Sequence, residues 1–405
     1  MDSLTQLVLG AAVGEVALGR KIGNRALIWG AIGGTIPDLD VFAGAFMSDM
    51  GSLAFHRAIT HSIFFSLVAP LAVGSLVQRL YGSRFHASKG YKAFVAILNI
   101  LLLGVIVVAL NYAFRHSGIA KWWVLSVTSA LTFLLLWRLY RHYWNKELED
   151  IQTTFKEWYF LFFLALATHW LLDCFTAFGT QIFQPFSNYR VAFNNIAVVD
   201  PLYTLPFLIC IIVVSFLRRN TKKRALFLWL GIGISSLYML LTILTKFYVD
   251  HVFDKALANR RIETIRTRST PTIFNNILWS CVAEGKNNYY VGLYSLFDSD
   301  PNLHYISVLP KNDSIRQVFA SNPDYQTLEW FSNGYLAAFP TDSALYLCDI
   351  RYGGMQDTVR SQKDLVFSFK VTAENGAYVF REHREPFPDN MGDVFRKFWI
   401  RIKGY

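Results

Sequence analysis

Asp38, Asp40, His56, His61, His169, Asp173 and Asp200 all fall at the ends of strongly apolar segments. Carboxylates and imidazoles at a membrane boundary are costly unless they pair, hydrate or bind something. Together they are the ligand types of a metal centre. Three histidines with several aspartates suit Zn²⁺, or a pair of borderline ions, better than an all-oxygen Mg²⁺ site. A divalent ion open to water lowers the pKa of that water and yields hydroxide near neutral pH, so the indicated chemistry is metal-assisted hydrolysis. The same donors also fit metal transport, and the ligand types alone do not separate the two.

Three short motifs carry these residues. Pro37-Asp38-Leu39-Asp40 holds two carboxylates at i, i+2, which do not share a helical face. A local unwinding at Pro37 would let both turn inward; otherwise they are a solvated pair at a helix end. His56-Arg57-Ala58-Ile59-Thr60-His61-Ser62 places two imidazoles five residues apart at a helix start, with Thr60 or Ser62 as the cap. Arg57 between them has the planar fork that matches phosphate or carboxylate. His169 and Asp173 are spaced i, i+4, which stacks them on one face of an otherwise apolar helix. In isolation that pair is more often a buried hydrogen bond between helices than a ligand pair. Asp200 with Pro201 opens the following segment, and Asp2 and Gln6 open the first.

The elements that must position these groups are membrane helices. Of the 405 residues 53% are hydrophobic and only 17% charged, against about 25% charged in soluble domains. Apolar runs long enough to cross a bilayer, roughly 17–25 residues, fall at about 4–19, 25–46, 61–80, 94–114, 121–141, 158–178, 201–217 and 225–246. The first is short and Gly-rich with Glu15 inside it, and Gly10, Ala11, Ala12 and Gly14 suit close packing against another helix. The net charge of +10 sits in short loops, so it reads as a topology signal and not as a nucleic-acid surface. One set of loops (around 20–25, 79–92, 138–156 and 218–224) holds sixteen Lys and Arg. The opposite set holds four: Arg57, Arg115, Lys121 and Arg190. The first set is therefore expected to face the cytoplasm, which puts the histidines, the aspartates and everything after residue 246 on the other side. No cleavable signal peptide is expected, because no basic stretch precedes the first apolar run.

Residues 250–405 change character. Short β-rich runs such as NNYYVGLYSLFD, LHYISVL, SALYLCDI, LVFSFKV and AYVFRE alternate with Asn, Asp, Gly and Pro clusters. The expected fold is a mainly α integral membrane helical bundle of about eight spans (1–249), followed by a C-terminal extracytoplasmic mainly-β (α+β) domain (250–405). Arg260, Arg261, Arg266 and Arg268 could meet phosphate headgroups or form a solvated linker. Cys174 and Cys210 read as packing residues; Cys281 and Cys348 could pair if their domain is extracytoplasmic, which the sequence leaves open.

The motifs MDSLTQ, Gly14-Glu15, PDLD at 37–40, FHRAITHS at 55–62 and THWLLDCFTAFGTQIFQPFS at 168–187 resemble those of the YdjM-like family of membrane-bound metal-dependent hydrolases. The resemblance covers roughly the first 200 residues. It implies a multi-pass protein of the cytoplasmic (inner) membrane whose metal-binding residues are those singled out above. The family's opening motif commonly has His where this chain has Gln6. The combined reading is a hydrolase with a divalent metal, zinc by preference, held by Asp38, Asp40, His56, His61, His169 and Asp173, with Asp200 or Asp2 close by. Asp40 or Asp173 is the expected base, and Arg57 is expected to steady the oxyanion. The substrate is expected to be a membrane lipid or lipid-linked phosphoester, with no nucleic acid as partner. A lipid amidase and a non-enzymatic metal-binding or transport protein are the alternatives.

Overall fold

In a computed structural model the described residues are 1–83, 85–114, 121–140, 144, 150–300, 302–342, 344–354, 357–374, 376–384 and 391–404. Arg84, Arg115, Arg141 and Lys146, four of the charges used above for topology, and Ser343 of one expected strand lie outside them. The chain forms two compact units, residues 1–69 with 160–405, and residues 70–159.

Helices occupy all eight expected regions: α1 (Ser3–Ile22), α2 (Asn24–Thr35) continued by a 3₁₀ segment (Pro37–Phe46), α4 (Ile63–Gly82), α5 (Lys89–Phe114), α6 (Lys121–Leu139), α7 (Phe155–Cys174), α8 (Pro201–Phe216) and α9 (Lys222–Asn259). The short α3 (Asp49–Phe55) lies between the 3₁₀ segment and α4. The number able to cross a membrane is smaller than the eight expected. Among the described residues only α4 and α9 are long and apolar enough, with a third if α2 and the 3₁₀ segment, bent by 42° at their junction, count as one span. For α7 and α8 the causes are local. α7 carries Lys156, Glu157, His169 and Asp173, and the 16 residues of α8 rise only about 24 Å against a core of about 30 Å.

Small residues set the helix packing, as expected for the first segment. A Cβ at Gly10 would run into the Gly30 carbonyl oxygen, and one at Gly30 into that of Gly10, so α1 and α2 meet backbone to backbone. Glu15 on α1 is buried and forms a two-pronged ion pair with Arg224 on α9, at 2.6 Å on both contacts. In the unit of residues 70–159, Tyr81 stacks on Trp158 with centroids 5.5 Å apart.

α9 runs for 38 residues, about 57 Å, past residue 250. Its last turns bury Val249, Val252, Phe253, Ala256 and Leu257 against Trp279, Cys281 and Tyr294, which fixes the helix to the sheet that follows. That sheet is antiparallel in the order β1 (Arg266–Pro271), β2 (Leu278–Glu284), β3 (Asn288–Ser295), β4 (Ser307–Pro310). A second has the order β5 (Leu336–Pro340), β6 (Leu345–Asp349), β7 (Phe367–Glu374), β8 (Ala377–His383). Val282, Tyr289 and Val291 of the first share a core with Tyr335, Ala337 and Cys348 of the second. Three helices not expected from the sequence complete the region: α10 (Asp313–Phe319), α11 (Pro323–Phe331) and α12 (Met391–Ile402). Met50 and Leu53 of α3 pack into the core of the second sheet beside Tyr325 and Leu328.

All four cysteines are free and buried; Cys281 lies on β2 and Cys348 on β6, and burial pushes the Cys348 thiol up to about 12. Three of the four arginines on the approach from α9, Arg260, Arg266 and Arg268, have partners within the protein. Arg266 pairs with Glu284 at 2.5 Å and lies over the Tyr335 ring, while Arg268 donates to the Ala177 carbonyl at 3.0 Å and to Asn194. The carbonyl of Leu303 takes Arg260.

Candidate metal centre

Pro37 ends the α-helical run of α2, and the chain continues as a 3₁₀ turn, the local unwinding that the proline suggests. With three residues per turn, Asp38 and Asp40 point to different sides. Asp38 turns toward His61 and His169, with its Oδ1 3.5 Å from each Nε2. Ser3 donates to its other oxygen at 3.1 Å. Asp40 is buried and turns toward the loop after α3. Its Oδ1 meets His56 Nδ1 at 2.9 Å, and its Oδ2 accepts from the Arg57 backbone N–H at 2.9 Å and from Thr60 at 3.3 Å.

The loop itself is kinked at Arg57, whose φ of 59° is unusual for a residue with a side chain. The backbone bond to Asp40 and a 3.0 Å bond from the Gln181 N–H to the Arg57 carbonyl hold the kink. It carries the guanidinium inward, where it is only 3% exposed. There Nη1 donates to Thr176 at 2.9 Å, Nη2 lies 3.4 Å from Asp173 Oδ1, and the cation faces Phe178. Its Nε–H is buried without a partner. A second 3₁₀ turn (Ile59–His61) then delivers His61, and Ser62 caps α4 by accepting from the Phe65 N–H at 3.0 Å.

His169 and Asp173 lie one turn apart on α7, fully buried, with Nε2 and Oδ2 3.4 Å apart. His169 Nδ1 bonds the Gly34 carbonyl at 2.6 Å, which fixes the tautomer so that Nε2 carries the free lone pair. His61 Nδ1 is held by Thr60 at 3.1 Å, with Asp40 3.4 Å away, and His61 Nε2 lies 3.4 Å from Asp173 Oδ2.

Asp38, His61, His169 and Asp173 thus each offer one ligand atom, all within 4.8 Å of one another, and the group could hold a metal ion. The residues fit such an ion on two counts. First, His61 Nε2, His169 Nε2 and Asp173 Oδ2 are buried with no hydrogen-bond partner, which is expensive for atoms left facing each other. Second, the four His–Asp separations of 3.4–3.5 Å are too long for good hydrogen bonds. They match the edge of a tetrahedron whose corners lie about 2.0–2.1 Å from its centre, about 3.3–3.4 Å. Asp173 shows the same division within one carboxylate. Its Oδ1 is supported by Gln6 at 3.0 Å, by Arg57 and by the Met1 amino group, while its Oδ2 is bare.

A family model described as YdjM inner membrane protein matches residues 1–249. The chain belongs to this family. The match covers every residue of the centre and stops within α9, ahead of the two sheets. No curated protein and no solved structure matches the chain.

Within the YdjM framework the remaining expected residues separate by role. Asp40 and His56 stand beside the four-residue group as a hydrogen-bonded pair, with His56 partly exposed. Asp200 and Asp2 lie outside the group and cap helices. Asp200 accepts from the Leu202 and Tyr203 N–H groups at the start of α8 and from the Tyr238 hydroxyl, and Asp2 accepts from Thr5 at the start of α1. Gln6 donates to Asp173 and to the His169 carbonyl, while its Oε1 is unpartnered.

Several contributors escaped the sequence reading. The Gly34 carbonyl carries no side-chain signal. Thr176 and Phe178 sit in the quoted THWLLDCFTAFG stretch, where a hydroxyl and a ring directly after His-x₃-Asp were the available clue. Arg190, counted above only as a topology charge, lies over the Phe178, Trp330 and Phe331 rings and donates to the Phe178 and Gly179 carbonyls. Burial pulls its pKa down to about 9.

Proposed function

We propose that this YdjM-family protein is a membrane-embedded metal-dependent hydrolase acting on a lipid-linked phosphoester at the outer face of the inner membrane. One observation carries the reading: three unpartnered ligand atoms converge with Asp38 beside a buried arginine that also has an unused N–H. Two imidazoles and two carboxylates favour zinc. When bound, such an ion supplies Lewis acidity and acidifies water.

The chain's own groups then divide the remaining work. Arg57, clamped by Thr176 and Asp173, presents its unpartnered Nε–H to developing negative charge on a phosphoryl oxygen. The Asp40 carboxylate is spent on His56, the Arg57 backbone and Thr60, so it positions these groups instead of taking a proton itself. His56, oriented by Asp40 and partly open, is the better proton carrier. Gln6 and Arg57 hold the outer oxygen of Asp173 and so aim the inner one.

A multi-pass membrane part over 1–249 and an extracytoplasmic part over 250–405 belong to the same reading. The eight helical regions and the basic-loop asymmetry support them. Transport ranks lower because Glu15, the polar residue a route toward the cytoplasm would need, is held by Arg224.

The test uses the purified full chain in liposomes with lipid phosphoesters and lipid amides. Metal-dependent phosphoester turnover that Arg57→Ala abolishes supports the proposal. Amide turnover alone makes the protein an amidase, and metal flux without turnover of either makes it a transporter.

A further inference from the structure

Next to the candidate centre lies a cavity of about 330 Å³. Phe178 and Ile196 from the loop after α7, Pro271 and Ile273 from the end of β1, and Phe367 and Phe398 from the second sheet and α12 form its walls. His56 and Arg57 also line it. Three polar atoms of its lining residues are buried without a partner: Arg57 Nε, Thr270 Oγ1 and Tyr352 Oη.

Protein interiors are close-packed, and voids much larger than a water molecule are few. A space of this size lies within the range of ligand sites, which combine apolar walls with a few convergent polar groups. A wholly polar ligand would leave the phenylalanines and Ile196 wetted. A plain hydrocarbon would leave the Arg57 Nε–H unsatisfied. The lining matches an amphiphile.

We propose that this cavity receives the apolar chain of an anionic amphiphile whose head lies on Arg57, so that the β-sheet region forms part of the binding site for the lipid's tail. The placement of the head rests on the hydrolase reading above; the tail site does not. Selection then has two parts. The YdjM-family residues read the head, and β1, the second sheet and α12, which lie beyond the family match, read the chain.

The experiment measures binding of non-hydrolysable n-alkyl phosphonates of increasing length to the full chain in nanodiscs, against protein-free nanodiscs as the partition control. Two variants, Val366→Trp and Ile273→Trp, fill the cavity from positions that are 56% and 40% exposed. Such sites accept a large side chain without disturbing the core, and an unchanged thermal transition verifies it. Referred to free amphiphile in water, binding to the wild-type protein should gain up to about fourfold in affinity per methylene and level off once the cavity is full, whereas uptake by protein-free nanodiscs keeps rising with length. Both tryptophan variants should follow the partition control. Equal chain-length dependence in wild type and variants overturns the tail site. Length-dependent binding without turnover of the matching alkyl phosphate esters keeps the tail site and removes the hydrolase reading. Turnover that is indifferent to chain length does the reverse.

Discussion

Replacing His169 by Ala removes one of four convergent ligand atoms while leaving the carboxylates and His61 in place. Four-ligand structural zinc sites bind with about 10–16 kcal/mol, so one ligand is worth about 2.5–4 kcal/mol. At about 1.4 kcal/mol per decade, the variant should bind zinc about 10²–10³-fold more weakly. Asp40→Asn is the informative partner. Asp40 supports His61 only from the Nδ1 side, at 3.4 Å, and through Thr60, so its loss should weaken binding about 10–100-fold, as for groups that orient ligands. Asp200→Asn should leave zinc affinity unchanged, because Asp200 serves the start of α8 and Tyr238. The assay is competition between the purified full chain and a graded series of chelators, with metal counted per chain by mass spectrometry. The ranking His169, then Asp40, then Asp200 is the result that matters. Equal zinc affinity in His169→Ala and Asp200→Asn would show that the four-residue group holds no ion, whatever its spacing.

Four further outcomes can be checked directly. Reporter fusions near residue 300 should score as extracytoplasmic, as the sixteen-to-four distribution of basic residues demands. Gly10→Val drives a side chain into the Gly30 carbonyl and should cost about 1–3 kcal/mol or more, read as a lower melting temperature in detergent. Reducing agent should leave the thermal transition unmoved, since Cys281 and Cys348 are free. Glu284 is raised by burial, but hydrogen bonds from Lys311 and Arg266 outweigh this and hold its carboxyl below the usual value. Its folded pKa is thus depressed, and its stabilisation is present above the unfolded value near 4.5 and lost as pH falls through the folded one. Glu284→Gln should therefore destabilise by about 1 kcal/mol at pH 7 and converge with wild type in acid, in thermal melts across pH.

The parts of this protein legible in its sequence are those where chemistry is rare against its background. His61, His169, Asp38 and Asp173 stand out because imidazoles and carboxylates are few in apolar helices, and the four come together. Asp2 and Asp200 stood out for the same reason and proved to be caps, because capping uses the same residue type at the same place in a helix. Composition therefore finds polar residues at helix ends, and geometry is needed to separate ligands from caps. Span counting met a related limit. The candidate ligands also lower the hydropathy of the helix carrying them: His169 and Asp173, with Lys156 and Glu157, count against α7 as a span. The strands β1, β2 and β5 were missed because RTRSTP, LWSCVAE and LAAFP are short or lack alternation. β2 is buried along nearly its whole length, which erases the period-2 signal. The cavity that the β-sheet region shares with Arg57 was invisible for a different reason. It depends on residues such as Phe367 and Phe398, more than 300 positions from Arg57, whose apolar character identifies a core without saying what the core surrounds. Had the second sheet packed elsewhere, the same sequence motifs would describe the four-residue group without the apolar cavity beside Arg57.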